Sequence, residues 1–107
     1  MKTISNEQNV LTLVSVFEVL PENQENLLKL LVSCTDQFVA DCAGFISASY
    51  HKGIDGKSVV LYAQYKDMEA FLGVINSEGG KRMVTEGSLL AVSSQRYFCY
   101  VNDTREV

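Results

Sequence analysis

A nearly continuous apolar run close to the start of the chain constrains the fold more than any other feature. Residues Val10–Val19 read VLTLVSVFEV and are rich in β-branched side chains. Such a run is typical of a β-strand buried on both faces, because a strand with one face in water alternates apolar and polar residues. By alternation, one face carries Val10, Val14 and Val16, and the other carries Leu11, Leu13, Phe17 and Val19. The sequence therefore predicts a sheet that needs cover on both sides.

The hydrophobic period changes after Pro21, which suits the first position of a helix and is followed by Glu22 and Glu25. From there to Asp41 the apolar residues recur every three to four positions, which predicts an amphipathic helix of about five turns. Its apolar stripe contains Leu27, Leu31, Cys34 and Phe38, flanked by Leu28, Leu30 and Val39. Gly44 supplies a stop signal after this helix.

Two further apolar segments, Phe45–Lys52 and Ser58–Lys66, flank a short loop that contains the pair Asp55 and Gly56. An Asp-Gly pair between two such segments predicts a β-hairpin. The second strand of the hairpin is again apolar on both faces. Val59, Leu61, Ala63 and Tyr65 share one face, and Val60 and Tyr62 share the other.

The last third of the chain predicts a helix, a break and a long strand. Asp67 is a good N-cap for a helix with Met68, Phe71, Leu72 and Ile75 on its apolar face. Gly79 and Gly80 are expected to interrupt it, a short helical piece is expected at Lys81–Glu86, and a final strand at Ser88–Val101. The order β-α-β-β-α-β is the ferredoxin-like α+β arrangement, with an antiparallel four-stranded sheet. We expect one domain over residues 1–107, with its core at about 10–101.

Two helices cover only one face of such a sheet, so the second apolar face predicts a partner. Water contact would cost about 25 cal/mol for each Å² of apolar surface left exposed. A two-fold homodimer that packs sheet face against sheet face is the simplest remedy. The alternative is that the termini fold back over the face, but their sequences are polar.

Charge and cysteine content exclude several classes of function. A net charge of −4 argues against nucleic acid and against an anionic membrane surface as partners. The Met1–Asn9 segment lacks the character of a signal peptide, and three irregularly spaced cysteines suggest free thiols in a reducing compartment, so the cytoplasm is expected. Neither zinc-ligand spacing nor a glycine-rich phosphate loop is found, and no metal is expected.

Three stretches resemble the antibiotic biosynthesis monooxygenase family. They are VFEVLPENQENLLKLL at Val16–Leu31, GFISASYHKGIDGKSVVLYAQY at Gly44–Tyr65 and KDMEAF at Lys66–Phe71. The resemblance implies a dimeric α+β barrel with a pocket between sheet and helices in each subunit. It also implies candidate chemistry, since some members oxygenate phenolic polyketides or quinols without metal or flavin, others degrade haem, and many have no known activity.

The resemblance suggests His51 and Tyr65 as catalytic candidates. His51 is the single histidine and lies at a strand end where the family often has His, and it would titrate near neutral pH. Tyr65 occupies the place of a family Trp and would line the pocket and bind a ligand oxygen. The alternatives are a half-exposed strand-end histidine and a core tyrosine with a satisfied hydroxyl.

The remaining candidates line the implied pocket but depart from the family pattern. Leu61 stands where some oxygenases use Asn, and Phe71 where they use Tyr. Gln64 and Arg82 are polar groups that would compensate, although each residue type is more often solvated.

Haem degradation is disfavoured, because the expected iron-ligating His and the helix Trp of that branch fall on Val84 and Val74. Two hypotheses follow. The first is a cofactor-independent monooxygenase for a small phenol or quinol, and the second is a non-catalytic dimer that binds a small apolar ligand.

Overall fold

The computed structural model describes residues 10–105, and the predictions made for Met1–Asn9 lie outside this range. The elements are β1 (Leu11–Val19), α1 (Gln24–Gln37), β2 (Phe45–Lys52), β3 (Ser58–Tyr65), α2 (Met68–Ile75), α3 (Glu78–Leu90) and β4 (Ala91–Tyr100). Short 3₁₀ turns at Pro21–Asn23 and Val39–Asp41 flank α1. The strands form one antiparallel sheet in the order β2-β3-β1-β4, which confirms the predicted ferredoxin-like α+β fold. No helix within residues 10–105 is long and apolar enough to cross a membrane.

The helices cover one face of the sheet, which we call the helix face. Its central residues are the odd-numbered members of β1 and β3, and they include Leu11, Leu13, Leu61, Ala63 and Tyr65, which pack with Phe71 and Val74 of α2. A second part of the core joins Val19 and Val59 to Leu27 and Leu31 of α1. Because side chains alternate along a strand, the even-numbered residues of β1 and β3 point to the other side, which we call the open face.

The open face keeps the apolar character that the sequence predicts. Val14, Val60 and Tyr62 are half-buried there, whereas Val16 is 37% exposed and Tyr97 of β4 is 49% exposed. Within residues 10–105 no helix packs on this face.

The hairpin and the start of α2 form as predicted. β2 has the predicted bounds, and Gly56 adopts φ +76°, the left-handed conformation that an Asp-Gly turn requires. The Asp67 carboxylate accepts a hydrogen bond from the Ala70 N–H at 2.8 Å and so caps α2.

The predicted helix break at Gly79 and Gly80 is wrong by two residues. α2 ends before Ser77, whose hydroxyl accepts the Gly80 N–H at 3.1 Å and caps α3. Both glycines lie in the first turn of α3 because space is short there: an ideal Cβ at Gly79 would lie 2.3 Å from Phe38 Cβ. The glycines therefore permit close packing between elements and do not end a helix.

Two other predicted bounds differ. Helix α1 ends at Gln37 because Phe38, at φ −130°, leaves the helical conformation, and the chain continues in a separate 3₁₀ turn to Asp41. The last strand begins at Ala91, since Ser88 to Leu90 form the end of α3.

One buried side chain ties α1 to the hairpin. Gln24, 8% exposed, donates from Nε2 to the carbonyl oxygens of Gly53 and Ser58, each at 3.0 Å. These bonds fix the base of the β2–β3 turn against the first turn of α1.

Replacing Gln24 by Ala should lower the free energy of unfolding by about 1–3 kcal/mol, because a buried hydrogen-bonding group loses its partner. Urea unfolding followed by circular dichroism measures this loss. Gln37→Ala is the matched control: its amide lies exposed on the same helix and contacts only Ser33 Oγ at 3.2 Å, so a change within about 0.5 kcal/mol is expected. Equal effects of the two substitutions would contradict the assignment.

Candidate functional site

A cavity of about 150 Å³ lies between the helix face and the three helices. Its walls come from every layer of the fold: Leu13, Ser15, Phe17, Leu61, Tyr65, Ser94 and Arg96 from the strands, Leu31 from α1, Phe71, Val74 and Ile75 from α2, Gly80, Met83, Val84, Gly87 and Ser88 from α3, and Ala91. An apolar cavity of this size accepts a compact aromatic ring. The site is thus a mostly apolar pocket with a few polar groups.

Aromatic rings in successive edge-to-face contacts build one side of this pocket. The ring of Tyr65 lies 5.8 Å from that of Phe45 and 5.6 Å from that of Phe71, and Phe71 lies 5.1 Å from Phe98. Such contacts hold each ring in one orientation. The Tyr65 side chain is therefore fixed at the pocket wall.

The Tyr65 hydroxyl can donate a hydrogen bond but does not serve as a base. Burial raises the pKa of Tyr65 to about 12, with Tyr50 and Cys42 adding to the rise and Arg96 opposing it. The hydroxyl therefore stays protonated near neutral pH. Because Tyr65 lines the pocket, its hydroxyl is placed to donate to a ligand oxygen.

A second group of polar side chains lines the pocket from β1 and β4. Arg96 stands opposite Ser15 in the sheet register, and Ser94 stands two residues before it. The Arg96 guanidinium carbon lies 5.3 Å from the centre of the Phe71 ring. Phe71 therefore contacts both Tyr65 and Arg96.

The structure brings together three of the six residues predicted for the site. Leu61, Tyr65 and Phe71 all line the pocket.

The other three predicted residues do not line this pocket. His51 pairs with Val60 and Gln64 pairs with Thr12, so both are on the open face. The Gln64 amide is fully buried and donates to Thr12 Oγ1 at 3.3 Å. Arg82 is exposed on α3 and forms an ion pair with Glu86, four residues later.

Three polar residues of the pocket were not predicted from the sequence: Ser15, Ser94 and Arg96. A signal was present in β1, where Ser15 is a polar residue within the otherwise apolar row of Leu13 and Phe17. For β4, the row of Ser94, Arg96 and Phe98 could be assigned to the helix face only once the register with β1 was known.

The pocket has valine at the two positions that the haem-degrading branch uses for its His and Trp. Val74 and Val84, at the positions of that branch's functional residues, do line the pocket, but their side chains cannot bind iron. Among the described residues no cluster of His, Cys, Asp and Glu is suited to hold a metal ion.

The fold and the pocket define a class of small α+β proteins whose ligand site lies between the sheet and the helices. The profile of the antibiotic biosynthesis monooxygenase family matches residues 10–86, and the chain belongs to that family.

One curated relative is a monooxygenase. The chain is 42% identical over 71 residues to the tetracenomycin-F1 monooxygenase of Streptomyces glaucescens, a match that covers 66% of this chain. It spans 63% of the relative's own length.

Solved structures confirm the architecture. A variant of SnoaB, a cofactor-independent oxygenase from Streptomyces nogalater, superposes with a TM-score of 0.77 at 21% identity, covering 90% of this chain and 96% of that one. Rv0793 from Mycobacterium tuberculosis gives a TM-score of 0.79 at 16% identity, covering 91% and 99%. At these identities the similarity establishes the fold alone.

Gly87 offers a direct test of the pocket, because an ideal Cβ there would meet only Leu27 Cδ1, at 3.7 Å. Gly87→Ala should raise the free energy of unfolding by about 0.5–1 kcal/mol, since glycine is costly inside a helix. Its methyl group should also enter the pocket and weaken the binding of a small aromatic such as naphthol, measured by calorimetry.

Gly73→Ala in α2 is the control, because a Cβ there meets nothing within 4 Å and Gly73 does not line the pocket. It should gain similar stability and bind naphthol like the wild type. If both variants bind naphthol equally well, the ligand does not occupy this pocket.

Proposed function

We propose that this chain is a cofactor-independent monooxygenase that acts on a small phenolic or quinol-type aromatic substrate. The observation that carries the proposal is the mostly apolar pocket whose wall contains the stacked rings of Tyr65 and Phe71. Family membership and the tetracenomycin-F1 monooxygenase relative support an oxygenation reaction.

For this reaction the protein must position the substrate and stabilise the negative charge that develops on it. An electron-rich substrate reduces dioxygen; one oxygen atom becomes part of the product and the other leaves as water. Leu61 and Phe71 would hold the ring in a space with little water, where polar interactions are stronger than in solution. Tyr65 would donate a hydrogen bond to a substrate oxygen and so stabilise negative charge as it develops.

A specific observation favours the second candidate function, a dimer that binds a small aromatic molecule without turning it over. Leu61 and Phe71 both line the pocket, yet they lack the amide and the hydroxyl that some family oxygenases have at these positions. The two candidates differ only in whether oxygen is consumed.

Oxygen-electrode measurements with a panel of quinols and anthrones test the proposal. Wild-type protein should consume oxygen with at least one substrate, and Tyr65→Phe should lower kcat by about 10- to 100-fold, the effect of losing one hydrogen bond to a charged oxygen. Tyr62→Phe is the matched control, because it removes the same hydroxyl from the open face and should keep the wild-type rate. His51→Ala should also keep it.

Two results would contradict this assignment. Absence of oxygen consumption with every substrate, together with tight binding of the same compounds, would favour the binding protein. A full rate in Tyr65→Phe would remove Tyr65 from the mechanism.

We also infer that two copies pair through their open faces. Val14, Val16, Val60, Tyr62 and Tyr97 form a mostly apolar surface that the helices leave uncovered. Burial of such a surface favours association, and two-fold symmetry lets one patch serve both partners. His51 and the buried Gln64 amide lie on the same face, so they would belong to this interface or its edge.

Sedimentation velocity over a range of concentrations tests the dimer. Val16→Glu should weaken the dimer by at least about tenfold, because a carboxylate would lose its hydration in an apolar interface. Ile54→Glu is the control, since Ile54 is fully exposed at the tip of the hairpin loop. A wild type that stays monomeric at high concentration would exclude the pairing.

The state of the cysteines agrees with a reducing compartment. Cys34, Cys42 and Cys99 are all free thiols. We therefore propose the cytoplasm as the location.

A further inference from the structure

The residues that line the pocket differ in their exposure according to the element that carries them. All lining residues from β1, β3, α1 and α2 are buried or half-buried. The exposed ones come from α3 and β4 alone, and they are Val84, Ser88, Ser94 and Arg96. A lining residue that also contacts water marks the place where a pocket opens. Within residues 10–105 the pocket therefore opens between α3 and β4, and we call these four residues the rim.

The connectivity of the chain explains why the opening lies there. Helix α3 ends at Leu90 and β4 begins at Ala91, so the two elements join without a loop. Ala91 lines the pocket at this corner. β4 is an edge strand, so no further described strand lies beyond it to close the gap against α3. The opening thus follows the edge of the sheet and begins at Ala91.

Val84 is the rim residue best suited to limit what passes. It is the apolar member of the rim and is 49% exposed. A valine side chain in a helix has one strongly preferred rotamer, so it does not turn aside as a flexible side chain would. Ser88, one turn later, is small, and its hydroxyl donates to the carbonyl oxygen of Thr85 at 2.8 Å. Ser94 is also small, and the Arg96 side chain has many rotamers.

The neighbours of Val84 on the pocket side of α3 are glycines. Gly80 and Gly87 both line the pocket and carry no side chain. Helix residues three or four positions apart lie on one face, so Val84 projects between two positions where the helix surface recedes. A change at Val84 should therefore alter the opening and have little effect around Tyr65 and Phe71, which are each only 4% exposed.

We propose that ligands enter and leave the pocket between α3 and β4, and that Val84 sets the width of this entrance and so selects substrates by size. The inference rests on the proposed function, because it takes the aromatic substrate to occupy this pocket. It does not require turnover, since a ligand that is bound and not oxygenated would pass the same residues. An entrance residue changes the barrier to passage in both directions, whereas the loss of a wall contact changes mainly the dissociation rate.

Stopped-flow fluorescence with naphthol measures both rates. Val84→Phe should lower the association and dissociation rate constants together, each by about tenfold, which corresponds to about 1.4 kcal/mol added to the barrier for passage. The equilibrium dissociation constant should change much less, because both rates fall. Thr85→Phe is the matched control: Thr85 is exposed beside Val84 on α3 and does not line the pocket, so this variant should keep the wild-type rates.

Two further variants make the test independent of a single substitution. Ser94→Phe alters the rim from β4 and should slow naphthol in both directions, as Val84→Phe does. Val84→Ala should have the opposite effect. It should accelerate the entry of anthrol more than that of naphthol, because the larger ligand is the more restricted by a narrow opening.

The outcomes separate the entrance from the pocket. Rates in Val84→Phe and Ser94→Phe that equal those of Thr85→Phe would overturn the entrance and leave the pocket standing. Slower association without slower dissociation would assign Val84 to the pocket wall and would also overturn the entrance. If naphthol does not bind the wild type, the pocket assignment fails as well. A wild type that binds naphthol with the expected rate changes in the variants, but consumes no oxygen with any substrate, supports the entrance and removes only the proposed monooxygenase activity.

Discussion

The alternation of side chains along β1 and β3 determines both the core and the site. These central strands pair directly, Leu13 with Ala63 and Ser15 with Leu61, so paired residues share a face. Because all three helices pack on one face, every odd-numbered residue of the pair lies beneath them. A slip of one residue would move Tyr65 and Leu61 to the open face and destroy the pocket and the core at once.

The pocket exists because small residues stand where larger ones would fill the core. Gly80, Gly87, Ala91, Ser15 and Ser94 all line it. A concave, mostly apolar pocket with a few polar groups is typical of a site for a small molecule.

Sequence patterns predicted the strands well and the site only in part, and the register explains the difference. Phe45 pairs with Tyr65, but a bulge follows, after which Ser47 pairs with Gln64. Without that extra residue, His51 would oppose Val59 on the helix face; with it, His51 opposes Val60 on the open face. A single sequence shows no bulge here, so the position of His51 could not be foreseen. The position of Gln64 could, since it alternates with Leu61 and Tyr65.

Apolar and polar contacts in the pocket come from different residues than the family resemblance suggested. Leu61 on β3 and Phe71 on α2 lack the polar groups that some family oxygenases carry at these positions. These two side chains would therefore contact a ring by shape and apolar surface. Polar contacts come instead from Tyr65 on β3 and from Ser15, Ser94 and Arg96 on β1 and β4. None of these polar groups lies on the open face. Ligand binding and the proposed pairing of two copies would therefore use opposite faces of the sheet. A ligand in this pocket would therefore find hydrogen-bonding groups on β3, on β1 and on β4, which is one of the two edge strands of the sheet.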